Sequence, residues 1–318
     1  MSRIQPMYDN IKLNVAITSD NHIDINAKNN SQRIKMIKKV LGDVQSSSVP
    51  MDAYITVGDM TSRSITQNWE IVKECFKTFN PAKHILFALG NHDCWSEKGF
   101  DGGYDDAIRN YYKYLGEICS FKTDKPYFSE IINGYHFVFL GSTSQAIDED
   151  CASLGNEQLE WLNNELQTAD ADGKPIFIFC HQSINNNHGL PKTWTEHEKD
   201  WEPEIGGIGI ESDEVKKIIT QYKNVFYFSG HSHMGLCGEK SLSKNGYASF
   251  EQHDGVNYIN LPCLTRENHH GETKKTGFGC LLEVYDGKVV IRPRNFRKKK
   301  MNKRIKIKDR KPFFEISL

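Results

Sequence analysis

The 318-residue chain contains no C-x-x-C pair, which excludes a thiolate zinc knot or a dithiol redox motif as its organising feature. Its eight cysteines (Cys75, Cys94, Cys119, Cys151, Cys180, Cys237, Cys263 and Cys280) stand singly, several inside apolar runs such as 176–180. They read as small buried hydrophobes in a reducing compartment. No run of eighteen apolar residues occurs, which excludes a membrane-spanning helix. Residues 1–10 are polar and lack the apolar stretch of a secretory signal, so a cytoplasmic location is the expectation. No internal repeat or low-complexity linker divides the chain. One continuous domain is therefore expected over residues 1–291, followed by a basic tail, 292–318.

Charge is nearly balanced at −1, but residues 292–311 hold twelve Lys/Arg and one acid, Asp309, which leaves the rest of the chain acidic. The plainer reading of that tail is a solvated extension paired with the acidic body. The alternatives are steering of anionic substrates, or weak contact with nucleic acid or anionic lipid. Ile305, Ile307, Phe313 and Phe314 interrupt the charge, so part of the tail is expected to dock.

The recurring unit is a short run rich in Val, Ile and Phe that ends in a polar cluster. Runs at 13–18, 53–57, 84–89, 176–180 and 225–228 read as buried strands. Between them, helical spacing places Ile34, Ile37 and Leu41 on one face of 32–42, and Trp69, Val72, Phe76 and Phe79 on one face of 68–79. Leu159, Leu162 and Leu166 mark a helix at 157–166. Val215, Ile218, Ile219 and Tyr222 mark another at 213–222. Two hairpins stand apart, 127–140 around Asn133-Gly134 and 280–292 around Asp286-Gly287. With 256–261 they predict a second, partly antiparallel sheet. The fold class read from this is α/β, a four-layer αββα sandwich of two mixed β-sheets flanked by helices.

Asp20, His22, Asp59, Asn91, His92, His181, His231 and His233 all follow predicted strands. Any one of these motifs is weak by itself. Five together are not, because ligands gather at the carboxyl ends of strands in open sheets. So many acids and imidazoles are costly to desolvate side by side. Bound cations remove the conflict, since carboxylates and neutral imidazoles suit Zn, Mn or Fe. If the local chain is extended, Asp20 and His22 project to one side, and so do His231 and His233.

In chain order the clusters read Asp20-Asn21-His22, Gly58-Asp59, Gly90-Asn91-His92-Asp93, His181 and Gly230-His231-Ser232-His233. This series resembles the calcineurin-like metallophosphoesterase superfamily, and within it the phosphodiesterase branch. The resemblance spans residues 20–233 and implies a metallophosphatase fold. It implies that Asp20, His22 and His233 hold one divalent ion and that Asn91, His181 and His231 hold a second. Asp59 would bridge the two, and Asn91 and His92 would contact the substrate phosphate. It further implies attack by a metal-bridging hydroxide, with His92 assisting the leaving group. Asp93 reads equally as a residue placed to orient His92 or as a turn residue capping the following segment. A purple acid phosphatase has a Tyr after the Gly-Asp block that binds ferric iron. Here the block reads Gly58-Asp59-Met60-Thr61-Ser62-Arg63, so Mn, Fe(II) or Zn is the expectation. His181 is followed by Gln182-Ser183-Ile184 rather than by His-x-Pro, which bears on the loop shape.

The resemblance implies a small phosphate-ester substrate, with phosphodiesters of the cyclic-nucleotide or glycerophosphodiester type favoured over monoesters. A DNA or RNA nuclease is the alternative, not favoured because the body is acidic. A metal-free binding scaffold is a third reading, opposed by the completeness of the motif set. Residues 94–125, with Trp95, Tyr104, Tyr111, Tyr112 and Tyr114, read as a packed amphipathic helix or as a lid. Residues 185–211, with His188, Trp194, His197 and Trp201, read as a functional loop. His269 and His270 read as a loop pair at the rim of the cleft.

Overall fold

Strand propensity and apolar pattern agree over every run read above, and the chain pairs them into two sheets. A computed structural model describes residues 3–99, 103–119, 121–144, 146, 150–189, 207–237, 247–268, 275–301 and 314–318. In the first sheet, β1 (Leu13–Thr18), β2 (Met51–Val57) and β3 (Ala82–Ala88) run parallel. The second sheet contains β4 (Phe128–Ile132), β5 (Tyr135–Phe139), β6 (Ile176–Phe179), β7 (Val225–Ser229), β8 (Phe250–His253) and β9 (Val256–Asn260). Its order is β4-β5-β6-β7-β9-β8, with β5, β6, β7 and β9 parallel.

The remaining strands return to the first sheet. They are β10 (Phe278–Tyr285), β11 (Lys288–Asn295), β12 (Lys300–Met301) and β13 (Phe314–Ser317). The order is β12-β11-β10-β1-β2-β3, with β13 also on β11. This corrects the expectation that the Asp286-Gly287 hairpin joins the second sheet: β10 lies antiparallel to β1, Leu13 opposite Val284. An Asp-Gly turn fixes the pairing of its own two strands and says nothing about their outer neighbour. β11 also runs past residue 291, where the sequence reading drew its boundary. Beyond it, Phe314 is buried and stacks on Phe250 at 4.4 Å. Ile305, Ile307 and Phe313 lie outside the described residues.

Among the described residues, five α-helices complete the layers: α1 (Asn30–Gln45), α2 (Thr66–Lys77), α3 (Tyr104–Cys119), α4 (Gly155–Asp170) and α5 (Ser212–Ile219). The period-two alternation of the second sheet shows why both of its faces are covered. Phe137, Phe139, Phe177, Phe179, Phe226 and Phe228 join the core shared with the first sheet. Their neighbours Val138, Ile176, Ile178, Val225 and Tyr227 join a separate core with Leu162 and Leu166 of α4 and Val215 and Ile219 of α5. Phe139, Phe179 and Phe228 stack in a row at 4.9 and 5.1 Å. Each such ring contributes about 1.5–3 kcal/mol relative to exposure. Residues 104–119 are packed helix, with Tyr111 and Tyr114 fully buried and Tyr114 stacked on Trp69 at 5.7 Å. Among the described residues, no helix is long and apolar enough to cross a membrane.

Candidate metal centre

The site lies where β1, β2, β3, β6 and β7 end. Asp20 and His22 follow β1, Asp59 follows β2, and Asn91 and His92 follow β3. His181 follows β6, and His231 and His233 follow β7. The cage is therefore shared between the two sheets. Asp20, His22, Asp59, His231 and His233 all have positive φ, between 46° and 65°. The expectation of extended Asp-x-His and His-x-His segments is thus corrected. Each segment coils through the left-handed region, and both of its side chains still reach the cage. Such backbone costs of order 1–3 kcal/mol per residue and persists where the surroundings hold it in place.

Ligand-type atoms of Asp20, His22, Asp59 and His233 all lie within 4.8 Å of one another, and all four residues are buried. His233 Nε2 approaches Asp20 Oδ1 at 2.9 Å and His22 Nε2 at 2.9 Å. His181 Nε2 faces Asp59 Oδ2 at 3.3 Å, and the His181 and His231 rings lie 5.1 Å apart. His181 Nδ1 lies 2.7 Å from the Val57 carbonyl, which can only accept, so Nδ1 carries a hydrogen and Nε2 faces the cage. Asn91 is buried beside the cage at the end of β3.

Electrostatics divide the imidazoles. Burial pushes His22 and His231 down to about 3, outweighing nearby carboxylates. Burial also works against charge on His181 and His233. Asp59 and Asp20 nevertheless raise His181 to about 9, and Cys263 and Asp20 raise His233 to about 10. Burial opposes ionisation of Asp20 and Asp59 as well. His233 and His181 hold Asp20 well below the carboxylate range, and His181, His92 and His22 lower Asp59. Without a cation, the two carboxylates are thus balanced by protons on imidazoles. Divalent ions would take the place of those protons. His181 Nε2, fully buried and facing Asp59 Oδ2 at 3.3 Å, is a nitrogen of the kind such an ion uses. The residues present fit a metal centre in charge, atom type and spacing.

His92 is half-buried at the mouth of this cage. Its backbone N–H donates to Asp59 Oδ1 at 3.0 Å, and its Nδ1 lies 3.1 Å from the Ser62 carbonyl. Burial lowers its pKa, and Asp59 pulls it back up. Asp93, which the sequence reading placed to orient His92, makes no hydrogen bond to that ring. Its carboxylate accepts from the Met60, Thr61 and Gly90 backbone N–H groups and from the Thr61 hydroxyl, at 2.9 to 3.3 Å. Burial and Asp59 raise it to about 7. It ties the β2 and β3 loops together.

Two residues beside the cage escaped the sequence reading, Arg33 and Cys263, and a third, Trp95, was read there only as part of a packed helix or lid. Trp95 lies against His92 with ring centroids 3.8 Å apart. The Arg33 guanidinium donates to the His22 carbonyl and clamps that turn. Cys263, counted among the apolar cysteines, groups with His22 and His233. No motif spacing marks any of them. Of the loop residues singled out earlier, His188 is buried with Nδ1 2.8 Å from the Ala248 carbonyl, away from the cage. Trp194, His197, Trp201, His269 and His270 lie outside the described residues.

Two mixed sheets whose strand ends present one cage of carboxylates and imidazoles define an αββα protein with a metal-binding centre. A model of the calcineurin-like phosphoesterase family matches residues 13–235, and the chain belongs to that family. Membership brings metal-dependent phosphoester hydrolysis and a dinuclear centre, for which the cage has the donors. No curated protein matches significantly. Among solved structures, a dimetal phosphatase from Danio rerio is similar in fold, with TM-score 0.57, 12% identity, and 96% of this chain and 99% of that one covered. A purple acid phosphatase from yellow lupin has TM-score 0.59 and 13% identity, with 96% of this chain and 53% of that one covered. GAP50, the anchor in the inner membrane complex of Plasmodium, has TM-score 0.56 and 11% identity, with 96% of this chain and 88% of that one covered. At such identities these likenesses concern the fold alone.

Proposed function

We propose that the chain is a phosphodiesterase acting on small substrates of the cyclic-nucleotide or glycerophosphodiester type. Asp20, His22 and His233 would hold one ion, Asn91, His181 and His231 the other, and Asp59 both. Mn, Fe(II) or Zn suits that mixture of oxygen and nitrogen donors. When bound, such ions lower the pKa of a coordinated water and withdraw charge from phosphoryl oxygens. The chain's own residues do the rest. The Val57 carbonyl fixes the tautomer of His181, and the Ser62 carbonyl holds His92 by Nδ1. His92 Nε2 then carries the proton that passes to the leaving oxygen. An anionic phosphate beside His92 favours its charged form, as Asp59 already does.

The observation that carries the diester reading is the pair at the mouth of the cage. His92 and Trp95 are both half-buried, 3.8 Å apart between ring centroids, while the proposed ligands beneath are buried. An apolar ring beside the proton donor suits a second ester substituent better than the solvated oxygens of a monoester. The test is a panel of cyclic nucleotides, glycerophosphodiesters, nitrophenyl esters and single-stranded DNA on Mn-loaded protein. We expect His92→Ala to keep its metal while turnover falls about 10²–10⁴-fold, and Asp59→Ala to lose metal as well. Equal metal content and equal activity in the two variants would refute these roles. Faster turnover of monoesters than of every diester would refute the diester preference.

The nuclease alternative leans on the basic segment 292–311. Two of its charges are committed internally: Arg292 pairs with buried Glu283, and Arg294 pairs with buried Asp43 at 2.8 Å. Contact with nucleic acid is thereby weakened as a reading. KM for DNA rising steeply with salt would restore it. Because β11 and β13 belong to the first sheet, we extend the proposed catalytic domain beyond residue 291 and keep 292–311 as a basic segment by composition alone.

A further inference from the structure

We propose that Cys263 supplies a sulfur ligand to the ion held by His22 and His233, so that this end of the cage selects a thiophilic ion; the proposal rests on the dinuclear reading above. Cys263 Sγ and one ring nitrogen from each of His22 and His233 all lie within 4.8 Å of one another, in the same range as the Asp20–His22–Asp59–His233 group. Two ligands of one tetrahedral zinc ion, with bonds of about 2.0–2.3 Å, lie about 3.3–3.8 Å apart, roughly 1 Å inside that range. Small side-chain rotations therefore suffice to bring these three atoms onto one ion. All three residues are buried.

The chain holds the cysteine there by several independent ties. The segment after β9 bridges to the end of β1, Ser19 beside Cys263 in parallel, and Leu264 N–H donates to the Ser19 carbonyl at 3.0 Å. The Thr265 hydroxyl donates to the Asn21 carbonyl at 2.7 Å, and Asn268 Oδ1 accepts from the Cys263 N–H at 2.8 Å. Cys263 is thus fastened along the Asp20–His22 turn itself. The Arg266 backbone N–H donates to its sulfur at 3.3 Å. In the thiol form its hydrogen turns to the Asp20 carbonyl, 3.3 Å away. Coordination breaks the S–H bond and forms a sulfur–metal bond with the sulfur electron pair. The proton leaves to solvent, and nothing is oxidised or reduced. Among the described residues, no other cysteine joins such a group.

Soft thiolate selects zinc or cobalt over manganese, so this ligand would set the identity of one of the two ions. The test uses the full chain loaded with Co(II) and, separately, with Zn(II). We expect visible d–d bands together with a near-ultraviolet thiolate-to-cobalt charge-transfer band. Zinc X-ray absorption should show a sulfur scatterer at about 2.3 Å. Cys263→Ser should keep the d–d bands and lose the charge-transfer band. Its preference for zinc over manganese should fall about tenfold or more. Cobalt bound with d–d bands alone, or a zinc shell of nitrogen and oxygen only, overturns the cysteine ligand and leaves the dinuclear reading standing. No uptake of either ion overturns both. Should Cys263→Ser fail to fold, the sulfur scatterer in the unaltered chain decides the matter.

Discussion

Gly58 shows how far the cage depends on backbone that other residues cannot supply. Its φ is +79°, and a Cβ there would lie 2.4 Å from His181 Nδ1, the atom that donates to the Val57 carbonyl. Gly58→Ala therefore meets both strain and a clash with the residue proposed as a ligand. We expect it to weaken metal binding about 10–100-fold and to cost about 1–3 kcal/mol of stability. Metal titration and urea unfolding of the same variant check both figures, and unchanged metal affinity would show that His181 is not oriented through this contact. Gly90 is equally confined, since a Cβ would fall 2.1 Å from Asp59 Oδ1. The Gly-Asp and Gly-Asn-His pairings were legible in the sequence. Cys263 was not, and Trp95 was legible only as part of a helix or lid, because nothing in their neighbours' spacing records where the segments after β9 and β3 are folded back.

Among elements, the strands that present the cage were readable to within about two residues, because β1, β2, β3, β6 and β7 are short, apolar and closed by polar clusters. Helix positions followed from apolar spacing for the same reason. The outer neighbour of β10 was not readable, and it matters here because β11 is fastened to α1 by charge. Arg294 Nε and Nη2 reach the two Asp43 oxygens at 2.8 and 3.0 Å, and both residues are 1% exposed. Removing one partner strands a buried charge. Asp43→Ala should cost about 3–5 kcal/mol, and removing both charges with apolar residues of similar volume should cost much less. A double-mutant cycle by urea unfolding measures this, and additive losses would contradict it.

Across the whole molecule, the two sheets meet through the stacked phenylalanines and again through the cage. The first sheet supplies Asp20, His22, Asp59 and Asn91, and the second supplies His181, His231 and His233. Ions bound there would clamp one sheet to the other and would also offset the left-handed backbone at five of these positions. Chelation should therefore lower Tm, and restoring metal at about 100 times its Kd should return about 2.7 kcal/mol per site. Identical melting with and without chelator would show that the cage contributes nothing to the joint between the sheets.

By itself the sequence determined the elements and the family, because apolar periodicity and the order of the five polar clusters are local properties that survive without coordinates. Tertiary structure alone decided which strands share a sheet, that the Asp93 carboxylate accepts from the loops rather than the His92 ring, and that Cys263 lies beside His22 and His233. Each of these depends on contacts between residues far apart in the chain, and loop closure leaves no periodic trace from which a sequence could reveal them.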